Sequence, residues 1–298
     1  MTTAHSDKIL CKICGGDDIS AFGKIANGNY SASFLKDYSL LKCEKCSLKF
    51  IYPTPSDEAL DFIYSNPEYS AWKTSPEKES NIRYINFEHY LKTIKKHVNG
   101  GKLLDCGCAT GYFLDIAKEN DFDCYGIEIS PIPFSISNTK HPQKVFKTDI
   151  EGLNLPDSFF DIITMFDFIE HVKDLGRALR KANDLLKTGG YLVMTTPDTK
   201  SLSMILLGKK HTNYILEHIN LLNHKLLPKY FENLGFEMMS IVPAKKMLTL
   251  KYAEDVFKVH GNFLYKPMRI MNNLVPKGIT GFPIKISFGD MLVIAQKK

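Results

Sequence analysis

The sequence predicts an α/β chain in which a mostly parallel sheet carries helices on both faces and follows a small cysteine-bearing module. Three observations lead there. Apolar runs of strand length alternate with helical stripes from Lys102 to Asp198, the first two runs are joined by a glycine-broken turn, and two C-x-x-C pairs precede them. With 298 residues, 44% of them hydrophobic, the chain can bury a full core and carry one main domain plus additions.

The formal net charge of +5 comes from mixed Lys, Arg, Asp and Glu with no clustered basic stripe. Nucleic acid is therefore a disfavoured partner, while small molecules, anionic ones included, remain compatible. No run approaches the roughly 18 apolar residues of a membrane span, and the first residues hold no apolar stretch of signal-peptide length. The expectation is a cytoplasmic protein without a membrane span. In that reducing compartment the seven cysteines point to metal rather than to structural disulfides.

Residues 1–52 are expected to form a zinc ribbon. Cys11 and Cys14 make one pair, and Cys43 and Cys46 the second, within "LKCEKCSLKF". Two residues between thiolates let a tight turn aim both sulfurs at one ion, and two such turns close a tetrahedral shell. A closed shell is structural, so the metal is given no catalytic role. The pieces "YSLLKC" and "SLKFIY" suit the hairpins between the knuckles.

Residues 53–98 read as a helical linker or lid. Ser56 before Asp57 and Glu58 is a helix start, and apolar residues at Ile82, Ile85, Leu91, Ile94 and Val98 predict a helix from Glu79 to Val98, ended by Gly100 and Gly101. The aromatics Tyr64, Tyr69 and Trp72 fit ordinary packing, with a closing lid as the second reading.

Residues 99–298 hold the main domain. Lys102 to Asp105 reads as a buried strand, and Cys106 to Gly111 as the turn into a helix beginning near Tyr112. The pattern D-x-G-x-x-x-G differs from the G-x-G-x-x-G turn that cradles a pyrophosphate. A strand-end carboxylate at Asp105 repels phosphate and suits an ammonium group. "CYGIEIS" gives a second strand ending at Glu128, about twenty residues on, where an acid can accept hydrogen bonds from ribose hydroxyls. A ligand with a ribose and a cationic amino-acid tail fits both acids, and S-adenosylmethionine (SAM) is such a ligand.

On these residues the segment Leu103 to Ser130 resembles motif I and the following acidic strand end of class I SAM-dependent methyltransferases. "VFKTDIEGLNLPDSFFDIITMFDFIEHVKDLGRALRKANDLLKTGGYLVMTTPD" is similar to that family's third to fifth strands. The resemblance implies a Rossmann-like seven-stranded sheet with its last strand antiparallel. It also implies cofactor contacts from Asp105, Gly107, Cys108, Ala109, Gly111, Glu128, Asp149, Ile150 and Asp167, with Asp149 and Ile150 beside the adenine. Many members carry glycine where this chain has Ala109, the smallest alternative. The cysteine pairs, the "YPTPSDEAL" linker and "LEHINLLNHKLLPKYFENLGFE" resemble a bacterial subgroup related to the ubiquinone-biosynthesis methyltransferases, whose members often accompany sugar and surface-polysaccharide pathways.

The resemblance puts His218 at the active-site mouth, where a neutral imidazole can deprotonate a sugar hydroxyl. Glu217 beside it is a candidate for orienting the acceptor. His171, after Glu170, is assigned a structural or cofactor-side role. Segments 199–217 and 243–283 interrupt the usual strand connections and are expected to build the acceptor pocket. The leading expectation is methyl transfer to a small-molecule, sugar-containing acceptor. An RNA methyltransferase gripping its substrate with the ribbon, or a SAM-binding protein without turnover, are the alternatives.

Overall fold

The computed structural model describes residues 8–25, 38–65, 76–259, 264–276, 280 and 282–298. Tyr69 and Trp72, the other aromatics of the expected lid, lie outside them. At the N-terminus β1 (Ile19–Lys24), β2 (Ser39–Cys43) and β3 (Lys49–Tyr52) form antiparallel pairs in order. Helix α1 (Asp57–Ser65) starts where the sequence places it, with Ser56 Oγ accepting the Ala59 N–H at 3.2 Å. The next helix, α2, covers Pro76–Ile94 rather than Glu79 to Val98. Bonds from Lys96 N–H to Thr93 and from His97 N–H to Ile94 tighten its end into a turn before the two glycines.

The main domain then alternates strands and helices: β4 (Gly101–Cys106), α3 (Tyr112–Lys118), β5 (Phe122–Ile127), α4 (Pro131–Lys140), β6 (Val145–Phe146), β7 (Phe160–Phe166), α5 (Leu175–Leu185) and β8 (Leu186–Pro197). Helix α5 shows why: Leu175, Ala178, Leu179, Ala182 and Leu185 all point inward at helical spacing, and Asp174 caps the Arg177 N–H. The glycine turn expected between α5 and the fifth strand lies inside β8. The pairing with β7 jumps from Leu186 to Tyr191 there, so Lys187 to Gly190 bulge out of the ladder. Beyond it come α6 (Leu202–Leu207), β9 (Asn220–Leu221), α7 (Leu227–Glu232) and β10 (Phe236–Pro243). An insertion follows, of β11 (Lys246–Leu248), α8 (Leu250–Val259), α9 (Tyr265–Leu274) and β12 (Ile284–Ile286), before β13 (Asp290–Lys297).

Seven strands form one sheet in the order β10-β13-β8-β7-β4-β5-β6, and β13 runs antiparallel to both of its neighbours. This is the Rossmann-like methyltransferase sheet. The chain leaves β4 toward β5 and β6, then crosses to β7 on the other side, which makes the β4 edge a topological switch point. Ligands in such sheets bind outside the carboxyl ends of the strands at that point. Leu103, Phe113, Leu114 and Ile162 fill one face of the sheet with Leu91 and Ile94 of α2. Leu104, Ile163, Leu179 and Phe231 fill the other, and Cys11, Cys43, Leu48 and Phe50 of the N-terminal module join that same cluster. Strand β9 pairs with β3 and completes a four-stranded sheet with the module.

Candidate active site

A cavity of about 820 Å³ opens over the ends of β4, β5 and β7. Its floor is the predicted turn. Gly107 takes φ +73°, and a Cβ there would meet Phe168 Cδ2 at 2.9 Å, so only glycine fits. Ala109 takes φ +50°, which explains why glycine is common at this place and why the smallest side chain is tolerated. Gly126 of β5 serves the same turn, because a Cβ there would lie 2.6 Å from Cys108 Sγ.

Asp105 ends β4 with its carboxyl 4% exposed, accepting from Thr164 Oγ1 of β7 at 2.7 Å. Burial pushes that carboxyl up to about 7; the Thr164 bond pulls it back, and the Glu128 charge pushes further. A cationic group arriving beside it would favour the ionised form. Glu128 follows β5 and is braced on both oxygens, by the Ala109 N–H at 3.0 Å and the Ser130 N–H at 2.7 Å. A carboxylate has about four lone-pair sites, so each oxygen keeps capacity for a hydroxyl.

The opposite wall comes from three places. Helices α1 and α2 contribute Asp57, Leu60, Asp61, Tyr64, Asn86, Phe87 and Tyr90. The exit of β7 contributes Asp167, Phe168 and His171. The insertion after β10 contributes Lys246, whose Nζ bridges Asp167 Oδ2 at 2.9 Å and Asp290 Oδ2 at 2.8 Å. Burial raises the Asp167 carboxyl, but the Lys246 charge outweighs it and holds the group below the ordinary carboxylate range. Burial also pushes His171 down to about 3, with the His218 charge adding to it, so the imidazole is neutral.

Eight of the nine residues expected around the cofactor border this cavity: Asp105, Gly107, Cys108, Ala109, Glu128, Asp149, Ile150 and Asp167. Gly111 stands behind them, turning the loop into α3 with φ +82°. His218 is also behind the wall, its ring 4.9 Å edge-to-face from the His171 ring and its Nδ1 donating to the Asn213 carbonyl at 2.8 Å. Glu217 is 4% exposed and does not border the cavity. Sequence reasoning missed Thr164 and Lys246. Thr164 reads as one more residue of a buried strand, and Lys246 opens the three-residue strand β11 beside Lys245 with nothing local to mark it.

At the N-terminus the four predicted cysteines converge, with all four sulfurs within 4.8 Å of one another. Cys11 Sγ lies 3.5 Å from Cys46 Sγ and Cys14 Sγ lies 3.6 Å from Cys43 Sγ. Tetrahedral thiolates around zinc stand about 3.8 Å apart, so the set fits that ion. Each knuckle is closed by its own backbone, through Gly15 N–H to the Cys11 carbonyl and Ser47 N–H to the Cys43 carbonyl.

A switch-point cavity floored by two strand-end acids and a non-phosphate glycine turn belongs to the class of α/β enzymes that take SAM. Residues 79–241, more than half of the chain, match the family described as a methyltransferase domain, and the chain belongs to that family. It is 23% identical over 161 residues to a probable SAM-dependent methyltransferase of Mycolicibacterium smegmatis, covering 54% of this chain and 61% of that one. It is 24% identical over 139 residues to the ubiquinone biosynthesis O-methyltransferase of Acinetobacter baylyi, covering 42% and 58%. The match thus spans about three fifths of the length of these relatives. Its fold is also similar to that of a SAM-dependent methyltransferase from Thermotoga maritima, with TM-score 0.50, 22% identity, and coverage of 74% of this chain and 91% of that chain. Among the described residues no helix is long and apolar enough to cross a membrane.

Proposed function

We propose that this methyltransferase transfers the methyl group of SAM to a hydroxyl of a small sugar-containing acceptor, a nucleotide-linked or surface-glycan precursor. One observation supports the acceptor class: the wall facing the cofactor floor sets Asp57, Asp61, Asn86, Lys173, Arg177 and Lys246 among apolar residues such as Leu60, Phe87 and Phe168, so polar groups reach the cavity from several directions. A polyol needs donors and acceptors in many directions, and an apolar ring would leave those groups unpaired.

When bound, SAM supplies a methyl group on a sulfonium. Asp105 pairs with its ammonium, Glu128 accepts from its ribose, and Asp149 and Ile150 flank its adenine. Gly107, Cys108, Ala109 and Gly111 shape the loop so that backbone and ligand approach closely. Asp167 marks the edge where the methyl group meets the acceptor. The histidine pair handles the acceptor hydroxyl, His171 from the wall and His218 from behind it, and His218→Ala should spare cofactor binding while slowing transfer at least tenfold. Unchanged transfer would remove His218 from the reaction. Cys11, Cys14, Cys43 and Cys46 hold one structural zinc ion.

The test is transfer of labelled methyl from SAM into two cell-extract pools, metabolites including nucleotide sugars and purified RNA. Label is expected in a sugar-containing metabolite. Label only in RNA would overturn the acceptor reading and recast the ribbon as a substrate grip.

A further inference from the structure

The insertion between β10 and β13 holds the chain's excess charge. From Lys246 to Ile286 the sequence carries seven Lys or Arg and two Asp or Glu, a net of +5 that equals the formal charge of the whole chain, so the remainder is neutral. Lys246 turns inward to Asp167 and Asp290, while Lys251, Lys258, Lys266, Arg269 and Lys285 are exposed.

Helix α9 of this insertion is apolar on the side that faces away from the protein. Tyr265, Met268 and Asn272 are half-buried on its inner side, and Asn272 Nδ2 ties it to α8 through the Leu250 carbonyl at 3.1 Å and Glu254 Oε2 at 2.6 Å. Opposite them stand Pro267, Ile270, Met271 and Leu274, with Ile270 61% and Leu274 79% exposed. Spaced i, i+3, i+4 and i+7, they form one stripe along two turns, with Lys266 and Arg269 on its flank. Phe282 and Ile284 expose further apolar surface where the chain returns to the sheet. A surface helix bathed only in water carries polar residues on this side.

We propose that α9 and its flanking cations dock the protein on an anionic lipid surface, as a peripheral contact. Charge decides among the occupants. A second copy presenting the same insertion would set like charge against like, and the neutral remainder of the chain offers no net negative charge to attract it. Nucleic acid would use the cations and leave the stripe in water. An anionic bilayer uses both, because aliphatic side chains enter the boundary between headgroups and acyl chains while each Lys or Arg gains from the negative surface potential.

The insertion also reaches the cavity. Strand β11 opens it, pairs with β12 and borders the cavity through Lys246 and Leu248. Asn86 of α2 grips the residue between, accepting the Met247 N–H at 2.6 Å and donating to its carbonyl at 3.2 Å. Helix α8 starts at Leu250, two residues past that wall. A lipid surface under α9 is therefore linked to the acceptor side of the cavity, and an acceptor carried on a lipid would enter there. That use rests on the methyltransferase reading; the docking does not.

The full chain is sedimented with vesicles of phosphatidylcholine alone and of phosphatidylcholine mixed with phosphatidylglycerol, and SAM binding is measured by calorimetry on the same samples. Partition into the mixed vesicles should be roughly tenfold the stronger. The pair Ile270→Ser and Leu274→Ser, and separately the pair Lys266→Gln and Arg269→Gln, should each lower it at least threefold. All four side chains are exposed, so SAM affinity should stay at the wild-type level and report an intact fold. Absence of partition, equal partition into both vesicles, or variants that sediment like wild type would overturn the docking. So would a dimer in ultracentrifugation that Ile270→Ser with Leu274→Ser dissociates, which would assign the stripe to a second copy. Vesicle binding without SAM binding in the unmodified chain would instead sink the methyltransferase reading and leave the docking standing.

Discussion

Asp105→Asn tests whether the floor of the site is held ready for a cation at a cost to the empty protein. The Asp105 carboxyl is 4% exposed and is pushed up to about 7, chiefly by burial. An unfolded aspartate ionises near about 3.9. Below that pH both states hold the proton and the group adds nothing to the pH dependence. From there to about 7 the unfolded chain has released it and the folded chain has not, so stability falls by about 1.4 kcal/mol per pH unit. Above the folded value both states are ionised and the loss, about 4 kcal/mol, is complete. Asparagine keeps an acceptor oxygen for Thr164 and has no proton to lose. Its amide must find a new partner, at a pH-independent cost of about 1–3 kcal/mol, so the slope carries the test and the absolute level does not. In urea unfolding of the ligand-free protein, going from pH 5 to pH 8 should cost the wild type about 3 kcal/mol more than the variant. A difference below about 1 kcal/mol would refute the argument that burial governs this carboxyl.

Glu128→Gln keeps the size but gives up one of the two oxygens that brace Ala109 and Ser130, along with the charge. Calorimetry should show SAM binding weakened about tenfold, near 1.4 kcal/mol; an unchanged affinity would remove Glu128 from the cofactor contacts. Elemental analysis should find zinc in the cysteine site of the purified protein, and Cys43→Ser should abolish it, lower the melting temperature and slow transfer while largely sparing SAM affinity. A Cys43→Ser protein that melts and turns over like wild type would end the zinc reading.

The sheet was legible because β4, β5, β7 and β8 are apolar runs bounded by glycine, proline or acidic turn residues, and period and length suffice to find such strands. The positions of Asp105 and Glu128 were legible for the same reason, since residues within one place of a strand's end are located once the strand is. Where geometry depends on chain segments far apart in sequence, the signal thins. Lys246 becomes part of the wall only because the insertion after β10 folds back on Asp167, a contact across 79 residues. His218 was expected at the cavity mouth, yet it packs behind His171, and that placement depends on a turn after β7 that a one-dimensional pattern does not orient. Strand β9, two residues long, carries no periodicity at all; it exists because β3 offers an open edge.

That short strand decides how the ribbon and the acceptor wall relate. Lys49 pairs with Leu221 and Phe50 with Asn220, two residues past His218. Asn220 Nδ2 donates to the Val172 carbonyl at 2.7 Å, beside the turn that carries Glu170 and His171. Asn223 Nδ2 reaches the carbonyls of Cys46 and Ser47 at 3.5 and 3.4 Å, within the second cysteine knuckle. One stretch from His218 to Asn223 is therefore tied to the knuckle, to the ribbon's edge and to the histidine-bearing turn. Asp105 on β4 and Glu128 just after β5 stand outside this chain of contacts. A ribbon that served only to grip a distant substrate would not need its inner edge woven into the acceptor wall. With zinc in the cysteine site as proposed, removing it should loosen the knuckle first, then the register of β9, and then the spacing of His218 against His171. The expected signature is slower transfer with cofactor affinity retained, the reverse of what changing Asp105 or Glu128 should do.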